Sequence, residues 1–397
     1  MSPGKHRRTE WGKRMKLLFA SDSFKGSLNS KQTIRLLTQA AECVFGSCET
    51  VGLQVADGGE GTVDAILHAE KGERITVRVH DPLMRPIQAS YGFFGYGKAM
   101  IEMSAASGLP LVEESLRDPR NTSTFGTGEL LLHALAHGAK EIYMGIGGSA
   151  TDDGGMGCMQ ALGVRFLDRQ GNALPGTGGN LHRIARIDTT GIDRRLQDCS
   201  ITILSDVTNP LCGENGATLV YGKQKGATPE ILEELEAGML HYNRILQREY
   251  GVDCSAMPGA GAAGGLGAAL KVFCRGVMKS GIETVLDLIH FDDCLDDVDL
   301  VVTGEGRTDG QSCFGKAVQG VGMRAKAKGI PAVCLSGSVG ENAANIYDYG
   351  INSIMTTVSA PMSLQEALAN AEELYLDGAI RMFRLIQTGM SIKNCSF

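Results

Sequence analysis

Apolar residues along this chain fall into two kinds of run. Short unbroken blocks such as MKLLFAS (15–21) read as strands buried on both faces. Longer stretches return to an apolar position every three or four residues, as at Ile34, Leu37, Ala41 and Phe45, and read as helices. Blocks of the two kinds alternate at both ends. From about residue 297 the order is DVDLVVTGEG, strand; GKAVQGVGMRAKAKG, helix; IPAVCLSGSV, strand; INSIMTTVS, strand; SLQEALANAEELYLDGAIRMFRLIQ, closing helix. Strands alternating with helices of this length predict an α/β fold with a parallel, doubly wound sheet.

The middle of the chain breaks the rhythm. RITVRVHDPLMRPIQASYGFFGYGKAMIEM (74–103) alternates polar and apolar positions and predicts antiparallel strands. After it, residues 124–148 read helix, a stop at Gly138, then strand. SITILSDVTNP (200–210) is a strand that ends in an acidic loop. A long amphipathic helix opens with Thr228 as cap and Pro229 at its first position. An insertion near 75–285 between two halves of one domain follows.

Composition narrows the class. Glycine, 53 of 397 residues, is nearly twice its usual share and shows no collagen-like period, so the excess belongs to loops where backbone shape matters. The formal net charge is −7, and the basic head hides part of it. Residues 17–397 hold 32 basic and 44 acidic groups, net −12, which argues against nucleic acid or an anionic membrane as partner. No stretch reaches the length of a membrane span. Residues 1–14 carry no apolar run of signal-peptide type and are expected to form a disordered extension. Eleven cysteines without a CxxC pair predict reduced thiols and a cytoplasmic protein.

The chemistry concentrates in loops that follow strands. GIGGSATDDGG (145–155) joins a strand to a helix, a corner that suits phosphate, yet Asp152 and Asp153 stand at the helix mouth. A divalent cation reconciles the two. Mg²⁺ bound to nucleotide phosphates takes one or two protein carboxylates, while Gly147 and Gly148 with the Ser149 and Thr151 hydroxyls hold phosphate oxygens. The plainer alternative makes one of the two acids a helix cap. Two GxGxxG-like matches, 145–150 (with Asp168 beyond) and 259–264, raise a dinucleotide site. Two carboxylates facing the pyrophosphate argue against the first, and no strand precedes the second.

Four further loops repeat the theme: SDSFKGS with Asp22 and Lys25, ADGGEGT with Asp57 and Glu60, SDVTNP with Asp206 and Asn209, and TGEGRTDGQS with Glu305, Arg307, Asp309 and Gln311. Ligands of open α/β sheets bind beyond the carboxyl ends of the strands, so these loops are expected to meet at one cleft. His133 and His137 have zinc-pair spacing but lack the HExxH glutamate. No GxSxG, GxxxxGK[ST] or protein-kinase signature occurs.

Taken with EMSAASGLPLV, TFGTGELLLHAL, SDVTNPLCGENGAT, QKGATPE, PGAGAAGGLGAAL and TGEGRTDGQSCFGKAVQGV, these loops resemble the bacterial glycerate kinases, in order over residues 15–388. The resemblance is to the glycerate 2-kinase group of galactarate, glucarate and glyoxylate metabolism. It implies a flavodoxin-like α/β domain built from 15–75 and 287–397, with a second α/β domain, akin to restriction endonucleases, inserted at 76–286. The implied reaction converts D-glycerate and ATP to 2-phosphoglycerate and ADP with Mg²⁺. Transfer to O3 and a non-catalytic sugar-acid-binding protein are the alternatives. Within that reaction Lys25 and Arg307 would meet anionic groups of glycerate or the phosphoryl, and Asp206 or Asp309 would be the base. Asp152 with Glu305 would hold the metal, and Asp57 and Glu60 would shape the substrate side. The expected partners are small molecules, with a homo-oligomer left open.

Overall fold

A computed structural model describes residues 14–392, and the extension expected at 1–14 lies, Arg14 apart, outside them. The chain divides into two compact units, one formed by the segments up to Val55 and from His290 onward, the other by Ala56–Ile289. The boundaries drawn from sequence stood at 75/76 and 286/287. The first of these falls inside a strand, because the helix before it packs on the sheet of the second unit.

The first unit opens with β1 (Met15–Ser21), whose Leu17, Leu18, Phe19 and Ala20 are wholly buried, as an unbroken apolar block requires. Helix α1 (Ser30–Phe45) starts on a capping box in which Asn29 accepts from the Gln32 amide and Gln32 accepts from the Asn29 amide. It stops at Gly46, whose φ of 70° only glycine adopts readily. Strand β2 (Cys48–Gly52) follows.

The second unit begins with α2 (Thr62–Ala69) and an antiparallel meander of β3 (Gly72–His80), β4 (Pro86–Phe94) and β5 (Lys98–Glu102), as the alternation in 74–103 predicts. Helix α3 (Phe125–Ala136) leads to β6 (Glu141–Gly145), and α4 (Met156–Ala161) to a small ribbon of β7 (Arg165–Leu167) and β8 (Arg186–Asp188). Then come β9 (Ser200–Leu204), α5 (Pro229–Tyr250), α6 (Leu266–Cys274), β10 (Val277–Lys279) and α7 (Gly281–Leu288). The main sheet runs β10-β9-β6-β5-β4-β3 and is parallel from β5 to β10.

Back in the first unit, β11 (Leu300–Glu305), α8 (Ala317–Ala327), β12 (Ala332–Ser336), β13 (Ile351–Thr356) and α9 (Ala371–Ser391) complete a five-stranded, all-parallel sheet. Its order is β13-β12-β11-β1-β2. Counted within the unit alone this is the flavodoxin-like order, and its topological switch point lies between β1 and β11. Helices α1 and α9 cover one face, closing a core of Leu17, Phe19, Leu37, Tyr375 and Phe383.

Candidate functional site

At the switch point of the first unit two expected loops lie side by side. Beyond β1 the chain turns tightly, with Phe24 and Leu28 exchanging backbone bonds of 2.7 and 3.1 Å, and Lys25 stands exposed at the tip. Phe24 anchors the turn edge-on against Tyr375, ring centroids 5.2 Å apart. Gly306, just past β11, packs on this turn: a Cβ there would sit 3.6 Å from the Phe24 Cα. Lys25 has no side-chain partner among the described residues. The Arg307 side chain is 65% exposed, pairs with Asp309, Nε to Oδ2 3.2 Å, and packs beside Gly340. Two cations therefore stand on adjoining loops where a doubly wound sheet takes its ligand.

The acids of this unit are differently placed. Asp309 accepts from the Gln311 amide and pairs with Arg307, so it shapes its own loop. Glu305 is buried and accepts from the Thr308 hydroxyl at 3.1 Å. Burial pushes its carboxyl up, against hydrogen bonds from Ser312 and Thr308 and the charge of Lys316.

In the second unit the ends of β6 and β9 and the start of α7 enclose the ADGGEGT loop. A Cβ on Gly145 would overlap the Gly58 carbonyl, and one on Gly281 would overlap the Asp57 carbonyl. Glycine here serves close backbone approach. The packing sets Asp206 beside Asp57. Asp206 is half-buried and accepts from the Gly281 amide at 3.2 Å. Its carboxyl is raised, first by burial and then by the neighbouring Asp57 and Glu283 charges, against hydrogen bonds from Ser280 and Gly281. Asp57 accepts from the Gly59 amide at 3.2 Å, and Glu60 is exposed.

The GIGGSATDDGG segment resolves into an exposed part and a buried part. Gly147 and Gly148 lie open, Gly148 with a φ of 75°. Ser149 is nearly covered and Thr151 is fully buried. Asp153 is the helix brace. Its two oxygens accept from the Thr124 amide and hydroxyl (both 2.8 Å) and from the Gly155 and Gly157 amides (3.0 and 3.1 Å). Asp152 is equally buried but under-satisfied. Oδ2 accepts from the Thr218 hydroxyl at 2.8 Å, while Oδ1 and the Thr151 hydroxyl have no hydrogen-bond partner among the described residues.

Two residues that no role was given from sequence complete this picture. Lys225, fully buried, donates to the Thr151 carbonyl at 2.6 Å. Glu102, at the end of β5, accepts from the Val63 amide at 2.7 Å, and burial pushes its carboxyl up to about 7, with Asp64 and Glu60 adding to the rise. Both lie inside motifs that carry the family resemblance, QKGATPE and EMSAASGLPLV; that was their only signal.

The remaining candidates have structural explanations. His133 Nδ1 meets the Tyr91 hydroxyl at 3.0 Å and His137 lies 3.6 Å from Glu73, and among the described residues no three His, Cys, Asp or Glu are grouped to hold a metal ion. In GAGAAG, Cβ atoms on Gly261 and Gly264 would overlap the carbonyls of Pro210 and Thr151, so these glycines serve chain packing. Asp168 closes an exposed turn with Gln170 and Asn172. Asn209 holds its loop through Asn215 and Tyr221.

Comparison with known proteins decides the family. The model of the glycerate kinase family matches residues 17–387. The chain belongs to the glycerate kinase family. It is 44% identical over 360 residues to a glycerate kinase of Bacillus cereus, covering 90% of this chain and 94% of that one. It is 43% identical over 358 residues to glycerate 2-kinase of Escherichia coli K12, with coverage of 90% and 94%. A crystal structure from Salmonella typhimurium LT2, assigned as glycerate kinase 2, superposes with a TM-score of 0.83 at 41% identity, covering 96% of this chain and all of that one. As a member of this family the chain is a kinase, and its phosphoryl donor is ATP.

Proposed function

We propose that this kinase transfers the γ-phosphoryl group of ATP to O2 of D-glycerate, giving 2-phosphoglycerate and ADP. The supporting observation is the switch point of the first unit, where Lys25 and Arg307 stand exposed on adjoining loops. Phosphoryl transfer asks chiefly for positioning and charge neutralisation, and these cations suit the transferring phosphoryl and the acid's carboxylate. The preference for O2 follows the named activity of the Escherichia coli relative.

In the second unit Asp206 is the base. Its raised carboxyl is better matched to accepting a hydroxyl proton than Asp309, whose charge Arg307 already holds. As the substrate O2–H bond breaks, its proton passes to Asp206. The O2–P bond forms while the P–O bond to ADP breaks. Asp57 and Glu60 accept hydrogen bonds from glycerate hydroxyls, and the open Gly147 and Gly148 amides face phosphate oxygens, with Ser149 and Thr151 supporting the loop from beneath.

Magnesium enters this reading with the nucleotide, whose phosphates it neutralises. The carboxylates expected to hold it, Asp152 and Glu305, do not fit a hydrated cation as they stand. Both are buried, and Asp152 carries the Lys225 ammonium alongside. The metal therefore keeps its place through ATP, and no step runs through those two acids.

Cytoplasmic placement agrees with ten free cysteines among the described residues. No helix among those residues is long and apolar enough to cross a membrane.

A coupled assay tests the reaction. Protein, Mg-ATP, D-glycerate and enolase, without phosphoglycerate mutase, should yield phosphoenolpyruvate. ADP without phosphoenolpyruvate moves transfer to O3, and no ADP overturns the kinase reading.

A further inference from the structure

The loops after β11 and β12 form a platform that the phosphoryl chemistry does not use up. They are joined by three backbone bonds: Thr308 amide to Ser338 carbonyl (2.9 Å), Gly340 amide to Thr308 carbonyl (2.8 Å) and Gly310 amide to Glu341 carbonyl (2.9 Å). Between them lies an open pocket of about 430 Å³, within the range of small-molecule sites and several times the bulk of a three-carbon acid. Arg307, Asp309 and Phe314 line it. Gln311, Glu341, Asn342 and Asn345 lie alongside them, so the pocket also holds two carboxylates, Asp309 and Glu341.

The composition of this lining is specific. Phe314 is 73% exposed, a large aromatic ring facing solvent on a polar rim. The side-chain amides of Gln311, Asn342 and Asn345 have no intramolecular hydrogen-bond partner among the described residues, and amides can both donate to and accept from the edge of a heterocycle. Asn342 holds a left-handed backbone, φ 58°, beside Gly310, where a Cβ would lie 3.2 Å from its own. The turn is thus set by packing. An exposed aromatic face with free amides around it fits a nucleobase. The exposed Arg307 guanidinium in the same lining fits the phosphate end of that ligand.

We propose that this pocket takes the nucleoside of ATP, with the base stacked on Phe314 and the phosphate chain leaving past Arg307. The assignment rests on the kinase reading above and adds the location of the nucleoside.

The test separates the two. Phe314→Ala should raise KM for ATP about tenfold or more, the scale of a lost base–aromatic stack, with kcat and KM for glycerate unchanged within twofold. Phe314→Trp should restore the ATP KM, and its fluorescence, against a single native tryptophan, should be quenched by adenosine and ADP but not by inorganic tripolyphosphate. An unchanged KM for ATP, a rise confined to KM for glycerate, or quenching by tripolyphosphate alone overturns the proposal. If wild-type protein forms no ADP with glycerate, the reaction assigned above falls, while the adenosine titration of Phe314→Trp still decides the pocket.

Discussion

The Lys225 ammonium donates to the Thr151 backbone carbonyl at 2.6 Å, deep in the second unit and beside the Asp152 carboxylate. One long side chain thereby pins the turn that joins the exposed Gly147–Gly148 segment to α4. Burial lowers the Lys225 pKa and raises that of Asp152, and each partner's charge opposes the shift of the other. Removing the amine leaves a buried carboxylate and a carbonyl without a counterpart. Lys225→Met should destabilise the protein by about 3–5 kcal/mol in urea unfolding. Adding Asp152→Asn should recover part of that loss, because the uncompensated charge goes with it. Purely additive effects of the two substitutions would show that the residues act independently.

Glu102 links stability to pH. Its carboxyl is pushed from the ordinary range up to about 7, chiefly by burial, so folding favours the protonated form. Its contribution is complete below the unfolded pKa, near 4.5, and is lost as pH rises through about 7. Between pH 5 and 8 the urea midpoint should therefore fall. Glu102→Gln stays neutral and keeps an acceptor for the Val63 amide, so it should flatten this trend. The expected difference at pH 8 is on the order of 1–3 kcal/mol in favour of the variant. Parallel profiles for the two proteins would remove Glu102 as the source.

Glycine in this chain divides by neighbour. Gly281 opens α7 with its Cα against the Asp57 carbonyl, whereas Gly389, in the last turn of α9, has open space where a Cβ would go. Gly281→Ala should displace the Asp57 loop, lower kcat/KM for glycerate, and destabilise by about 1–3 kcal/mol through overpacking. Gly389→Ala should be neutral or stabilise by about 0.5–1 kcal/mol through helix propensity. Thermal melts and steady-state kinetics on the pair separate close approach from backbone freedom.

The parts of this architecture that were legible in the sequence are those governed by local pattern. The unbroken block at 15–21 is a central strand because both faces of the sheet are covered, and the alternation in 74–103 becomes the β3–β5 meander. What was hidden is the direction in which adjacent acids point. Asp152 and Asp153 are neighbours of identical chemistry, yet one braces a helix with four donors and the other faces Thr218 and Lys225, residues more than sixty positions away. Such roles depend on long-range packing that no spacing rule encodes. Lys225 stayed unassigned for the same reason: a lysine in a loop reads as solvated until burial shows otherwise.

The two aspartates left open from sequence as the base can now be told apart by kinetics. Asp206 shares its surroundings with Asp57 and Glu283 and has a raised carboxyl, while Asp309 is held by Arg307 and by the backbone of its own turn. Asp206→Asn should lower kcat about 10²- to 10⁴-fold, the usual weight of a general base, with a smaller effect on KM. The acid limb of the wild-type kcat/KM profile should lie above the ordinary aspartate value, since Asp206 must be ionised to accept a proton, and activity falls as pH drops through its raised pKa. That limb should vanish in Asp206→Asn. Asp309→Asn weakens only a pairing with Arg307, so its effect should fall mainly on KM, with the acid limb intact. The reverse pattern, an intact limb in Asp206→Asn and a lost one in Asp309→Asn, would transfer the role to Asp309.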